Sequence, residues 1–201
     1  MTMKDQLNKI IKEKIAPLMK QEGFKKSANN FYHELPELGW CMQLELNRWN
    51  TVEEVEFRLN TGIYIPKVYE LIDRKPSPKF PKEIDSIARR TVAELKGIKT
   101  DFWYRLDRHK NIDSLIQQVQ TDIEDVALPH FKQYYTLHDV VEGITQKQIS
   151  PGSMLALGIV LAMDGQLEKA TNIFRKDYKL SYGVQKAMVR RITQEFDIEL
   201  E

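Results

Sequence analysis

WCMQLELNRW at residues 40–49 and VEFRLNTGIYI at residues 55–65 are the stretches that decide the fold of this chain. In the first, Trp40, Met42, Leu44 and Leu46 alternate with Cys41, Gln43, Glu45 and Asn47; in the second, Val55, Phe57, Leu59, Ile63 and Ile65 alternate with Glu56, Arg58, Asn60 and Tyr64. A strand points successive side chains to opposite faces, so a period of two puts the apolar set on one side of a sheet and the polar set on the other. Residues 50–54 are few enough to be a hairpin turn. A third run, FYHEL at residues 31–35, keeps Phe31, His33 and Leu35 in phase, and Pro36 and Gly39 punctuate the gap before Trp40. Three such runs with short connections predict an antiparallel meander, half apolar and half polar.

Outward from the meander the period changes to that of a helix. Over residues 4–22, Leu7, Ile10, Ile11, Ile15, Leu18 and Met19 share one face, and Gly23 ends the pattern. Pro17 removes a backbone donor and crowds the preceding turn, so a kink or break is expected near Ala16. Residues 66–73 read as a short helix opened by Pro66, where the missing donor costs nothing. Residues 74–81, with Pro76, Pro78 and Pro81, read as a loop crossing an edge of the sheet. Two more strands are expected at residues 91–95 and 101–106, with Gly97 in the turn between them. Ile112, Leu115, Ile116, Val119, Ile123 and Val126 then line one helix face, started by Asn111 or Asp113 and closed or bent by Pro129. That helix is the expected cover for the apolar side of the sheet. After Tyr135 only helices are expected, at residues 137–144, 153–163, 166–175 and 182–196, with small residues such as Ala156, Gly158, Ala162 and Ala170 for close packing. The fold class is therefore α+β. An antiparallel meander sheet covered by N-terminal and central helices occupies residues 1–135, and an all-helical appendage occupies residues 136–201.

Composition narrows the function classes. A chain of 201 residues can bury roughly 70% of its extended-chain surface without a metal or disulfide staple. Lys plus Arg number 30 and Asp plus Glu 29, a formal charge of +1, which removes the whole-chain basic field that drives nucleic-acid binding. The longest apolar stretch, residues 154–163, is closed by Asp164 and is about half the ~20 residues of a membrane span, so it reads as a buried helix. Residues 1–15 are amphipathic and lack the apolar core of a secretory signal. With Cys41 as the single cysteine, a reducing cytoplasm and no membrane segment are expected.

Three segments carry a family pattern: GFKKSANNFYH at residues 23–33, LELNRWN at residues 44–50 and EFRLNTGIYIP at residues 56–66. In order and spacing they resemble the bacterial family catalogued as domain of unknown function 4304. That pattern opens with a helix and a Gly-Phe-Lys-Lys step, continues with an aromatic first strand and a second strand ending in a polar residue and Trp, and has Asn-x-Gly-Ile-Tyr in the third. Glu45 and Asn47 stand where the pattern leads one to expect Gln and Ser. The resemblance covers about residues 1–135 and leaves the helical tail outside. It implies an α+β fold with an antiparallel sheet and implies no activity.

Recognisable catalytic chemistry is missing from the residues. His33, His109, His130 and His138 form no HxxxH pair and Cys41 has no CxxC partner, so neither a metal nor a cofactor is expected. No G-x-S-x-G elbow and no Gly-rich phosphate loop follows a strand, so no catalytic residue is assigned. What remains is the polar face of the meander. Glu45, Asn47, Trp49, Arg58, Asn60 and Tyr64, with Trp103 and Arg105 around them, form a polar row with aromatic neighbours. Its simplest reading is a solvated sheet face held by cross-strand pairs. Its functional reading is a binding surface, because amphipathic rings and Arg combine contact area with directional hydrogen bonds.

The leading expectation is thus a cytoplasmic interaction module that uses this face, or the sheet edge, against a protein partner of unknown identity. An alternative is a hydrolase-like enzyme with a cleft around Glu45, Arg58 and Asn60, which requires a buried carboxylate with a raised pKa. A third is single-stranded nucleic-acid binding on Trp and Tyr platforms, disfavoured by the near-zero charge. The choice turns on whether the polar face is open or lies beneath the tail helices.

Overall fold

In the computed structural model, which describes residues 2–109 and 111–200, the chain opens with a helix capped by Thr2. The Thr2 hydroxyl accepts from the Asp5 N–H while the Asp5 carboxylate accepts from the Thr2 N–H, a reciprocal cap that satisfies two otherwise orphaned donors. Helix α1, Met3–Ile10, runs through a widened π turn, Ile11–Ile15, into α2, Ala16–Gln21. Pro17 is the cause. It cannot donate and its ring crowds the turn before it, and the chain answers by letting the Ala16 N–H reach back five residues to the Ile11 carbonyl. The kink expected at Ala16 is this wide turn, and the apolar stripe of Leu7, Ile10, Ile11, Ile15 and Met19 stays buried through it.

The sheet follows, as β1, Lys25–Ser27, β2, Asn30–Glu34, β3, Gly39–Leu46, and β4, Glu54–Tyr64. The meander is present with the expected phase: Trp40 pairs with Ile63, Leu44 with Leu59 and Leu46 with Phe57 on the apolar side. Strand β1, which the alternation analysis passes over, adds a short hairpin at the edge. Helix α3, Pro66–Asp73, lies where expected, with proline in its first turn.

The segment expected as a strand at residues 91–95 is different. Strand β5 spans Ala88–Thr91, and the chain then turns into α4, Val92–Leu95. Thr91 accepts from the Glu94 N–H and the Glu94 carboxylate accepts from the Thr91 N–H, so a capping box stops the strand and starts a helical turn. Strand β6, Tyr104–Asp107, completes an antiparallel sheet of six strands among the described residues. The long β4 serves two neighbours on one edge, β5 along residues 60–63 and β6 along residues 54–57.

Helix α5, Ile112–Asp122, is capped by Asn111 and passes through a second π turn, Ile123–Ala127, into α6, Leu128–Phe131. Pro129 is the second residue of α6 as Pro17 is of α2, and the Leu128 N–H again reaches five residues back. The two bent helices cover the apolar sheet face. Trp40 stacks on Phe131 at 5.7 Å between ring centres and donates its indole N–H to the Tyr134 carbonyl at 2.7 Å.

The tail consists of α7, Leu137–Thr145, α8, Met154–Met163, α9, Leu167–Leu180, and α10, Gly183–Gln194. Helix α8 is largely buried, as its composition demands. The tail packs beside α3 and the approach to β5: the Gly152 N–H donates to the Ile87 carbonyl at 2.7 Å, the Arg191 guanidinium donates to the Leu71 carbonyl, and Lys67 pairs with Glu195 at 3.5 Å. One cluster of buried apolar side chains runs from Leu7 through the sheet to Ile192. The polar face lies on the far side of the sheet from this cluster.

Candidate functional site

Pairing register builds the polar face in rows. Asn30, Gln43, Asn60 and Thr91 stand opposite one another across four strands, and Glu45 stands opposite Arg58 in the next row. The Glu45 carboxylate is the hub. One of its oxygens accepts from Arg58 Nε and from Asn60 Nδ2, each at 2.7 Å. The Arg58 guanidinium lies over the Trp103 ring at 4.7 Å and within 3.5 Å of Asp101, which accepts from the Trp103 indole N–H at 2.9 Å. Trp103 and Asp101 thereby join the wall from the segment before β6. Toward the hairpin, Asn47 donates to Glu56 at 2.8 Å, and Arg105 pairs with Glu54 and, at 3.2 Å, with Asp107.

Burial by itself would raise the Glu45 pKa; the hydrogen bonds from Arg58 and Asn60 and the nearby charges of Arg58 and Arg89 outweigh it and hold the carboxyl below its ordinary value. Glu45 is therefore an ionised carboxylate at neutral pH with both polar partners already engaged. The hydrolase alternative calls for a buried carboxyl with a raised pKa, whereas the Glu45 side chain is partly exposed and its pKa is lowered.

The other half of the face is covered, and by a different element from the tail helices. Residues 74–87 fold across it, so the proline-rich loop crosses the face and not merely its edge. Tyr32, Cys41 and Tyr64 form a second, smaller buried cluster against Tyr69 and Phe80. Tyr64, expected on an accessible wall, is fully buried, with its hydroxyl donating to Ser77 at 2.9 Å. Burial pushes both the Tyr64 phenol and the Cys41 thiol up to about 12, so neither ionises at neutral pH. Ser86 presses on Gly62: a Cβ built there would lie 2.4 Å from the Ser86 hydroxyl. At the boundary of the covered half, the buried Glu83 carboxylate accepts two hydrogen bonds from Arg89, at 2.6 and 3.0 Å. Asn60 sits just inside this boundary, 3% exposed, its amide nitrogen spent on Glu45 and its oxygen without a partner.

The eight candidate residues thus divide. Glu45, Asn47, Arg58, Trp103 and Arg105 are brought together on the open half; Asn60 forms its floor; Tyr64 lies under the loop. Trp49 is 74% exposed in the turn after β3, with the Arg48 guanidinium 4.8 Å over its ring and its N–H bonded to Asn47. Sequence reasoning missed the Glu83–Arg89 pair, since an acid in a loop and a basic residue on an edge strand look like ordinary solvated charges; the row partners Asn30 and Thr91 were legible only through register. Along the open half, the carboxylates of Glu45, Glu54, Glu56, Asp101 and Asp107 outnumber the guanidinium groups of Arg48, Arg58 and Arg105, while Arg89 at the boundary is paired with Glu83. A cleft of about 570 Å³ adjoins it, lined by Arg58, Glu94, Lys99, Asp101 and Phe102 among others. No group of three or more His, Cys, Asp or Glu side chains among the described residues is arranged to hold a metal ion. No described helix is long and apolar enough to cross a membrane.

Comparison with known proteins adds one match. A family model described as a domain of unknown function, DUF4304, matches residues 15–133. It begins inside the first π turn and ends before α7, so it contains the whole sheet, the loop over the polar face and the bent helix α5–α6. No curated protein and no solved structure matches the chain.

Proposed function

The chain belongs to the DUF4304 family, and from that premise we propose that it is a protein-interaction module whose open half-sheet takes a basic segment of a partner. The observation that carries this reading is the pairing of an acidic excess on an ordered wall with Trp49, the most exposed of the large apolar side chains along it. An exposed indole ring beside a guanidinium supplies the contact area of a binding hot spot. Surplus carboxylates supply attraction for Lys and Arg over a reach of ~8 Å at physiological salt. The same sign of charge disfavours nucleic acid as the occupant. In this reading residues 1–135 form the interaction domain, residues 136–201 are a helical extension that braces it, and the protein works in a reducing cytoplasm, where a lone buried thiol needs no partner.

The test is an array of Lys/Arg-rich and Asp/Glu-rich peptides probed with the intact protein. Basic peptides should be retained, and Trp49→Ala or Glu56→Gln should weaken their binding about tenfold, with thermal stability nearly unchanged because both side chains are outside the core. Equal retention by the variants, or a preference for acidic peptides, would remove the proposal.

A further inference from the structure

The turn between α9 and α10 lies outside the family match and presents the opposite chemistry to the acidic wall. Leu180, Tyr182 and Val184 are 63%, 84% and 84% exposed within five residues. An exposed apolar group of this kind on an ordered turn marks an interaction site more often than an isolated surface leucine does. The turn is held in place by Ser181, buried and donating to the buried Asp177 at 3.3 Å. Asp177 is also the only acid between residues 175 and 191; of the six cations in that span, Arg175 donates to the Glu199 carbonyl and Arg191 to the Leu71 carbonyl, which leaves Lys176, Lys179, Lys186 and Arg190 for the tip. Lys186 and Arg190 stand 4.4 and 5.1 Å over the Tyr178 ring, which holds their charges near the tip, while Lys176 and Lys179 make no ion pair among the described residues. The acids nearest in sequence, Glu195 to Glu199, follow the far end of α10; Glu199 reaches back only to a cleft at the base of the tip, beside Tyr178 and Arg190.

We propose that this tip docks on an anionic lipid surface, with Leu180, Tyr182 and Val184 entering the interface and the surrounding Lys and Arg side chains meeting the headgroups. Two arguments select a lipid surface over a protein. Three side chains on a single exposed turn cannot cover the ~800 Å² per partner of a stable protein interface, whereas lipids rearrange around so small a contact. Apolar residues ringed by cations are also the combination that interfacial binding requires, since insertion and headgroup attraction are individually weak and act together. The contact is peripheral and uses no spanning segment.

Co-sedimentation of the intact protein with vesicles tests it, using phosphatidylcholine alone and an equimolar mixture of phosphatidylcholine and phosphatidylserine. The mixed vesicles should bind the protein and the neutral ones should not, with binding falling as salt is raised. The Leu180→Asp/Tyr182→Asp variant should lose binding. In Lys176→Gln/Lys179→Gln each lost charge should cost about fivefold, with the circular dichroism spectra of both variants unchanged. Absence of binding to the mixed vesicles overturns the proposal. So does equal binding by the Asp variant, which would place the contact elsewhere, and so does retention on an acidic polypeptide such as polyglutamate with none on vesicles, which would make the partner a protein.

Discussion

Glu45 shows how one side chain on the polar wall can be both structural and part of a contact surface. Its carboxylate organises Arg58 and Asn60, and its folded pKa is held below the unfolded value. The stabilisation it contributes is therefore present above the ordinary carboxylate range and is lost as pH falls through the folded pKa. Because the side chain is 36% exposed, solvent screens the pair and the effect is modest, about 0.5–1 kcal/mol. Glu45→Gln should be less stable than the natural chain by that amount in urea unfolding near pH 7 and should converge with it near pH 3; a gap that widens in acid would show that the ion pair is not its source. Gly62 and Ser86 illustrate a different kind of legibility. A glycine inside a strand signals close approach of another part of the chain, and Gly62 carries that signal in the sequence, but only the structure identifies Ser86 as what approaches.

Among the elements, the two bent helices share one solution to one problem. In each, a five-residue π turn ends one residue before an Ala-Pro or Leu-Pro step, so the donor lost at Pro17 or Pro129 is accommodated without breaking the apolar stripe. The alternating and helical periods located β2, β4 and α3 to within a residue, overran the end of β3 by three, and placed the start of α5, whose stripe continues through the π turn, because each is long enough for its phase to be unambiguous. They failed at β5 and α4, where four-residue elements leave too few positions to set a period and the cap decides. Thr91→Ala tests that assignment. Losing the cap should cost about 1 kcal/mol in thermal or urea unfolding, and a neutral result would mean that the turn is held by packing alone.

Across the whole molecule, the family domain and the tail share one buried apolar cluster. Removing residues 136–201 would uncover Val68 and Ile87 and leave the Ile87 and Leu71 carbonyls without their partners. The intact chain should unfold in a single transition by circular dichroism and by tryptophan fluorescence, and a chain ending at Tyr135 should melt at lower temperature or aggregate; an unchanged melting temperature would show that the tail adds no stability. By itself the sequence determined the α+β class, the meander, and the face to which the side chains of its strands at residues 40–46 and 55–64 belong, because side-chain phase along a strand is a local property of the backbone. Which part of the polar face is sealed, which is open, and which residues meet Glu45 were decided only by tertiary structure. Those outcomes depend on where residues 74–87 and 101–103 return to the sheet, and an aperiodic loop carries no local signal of its destination.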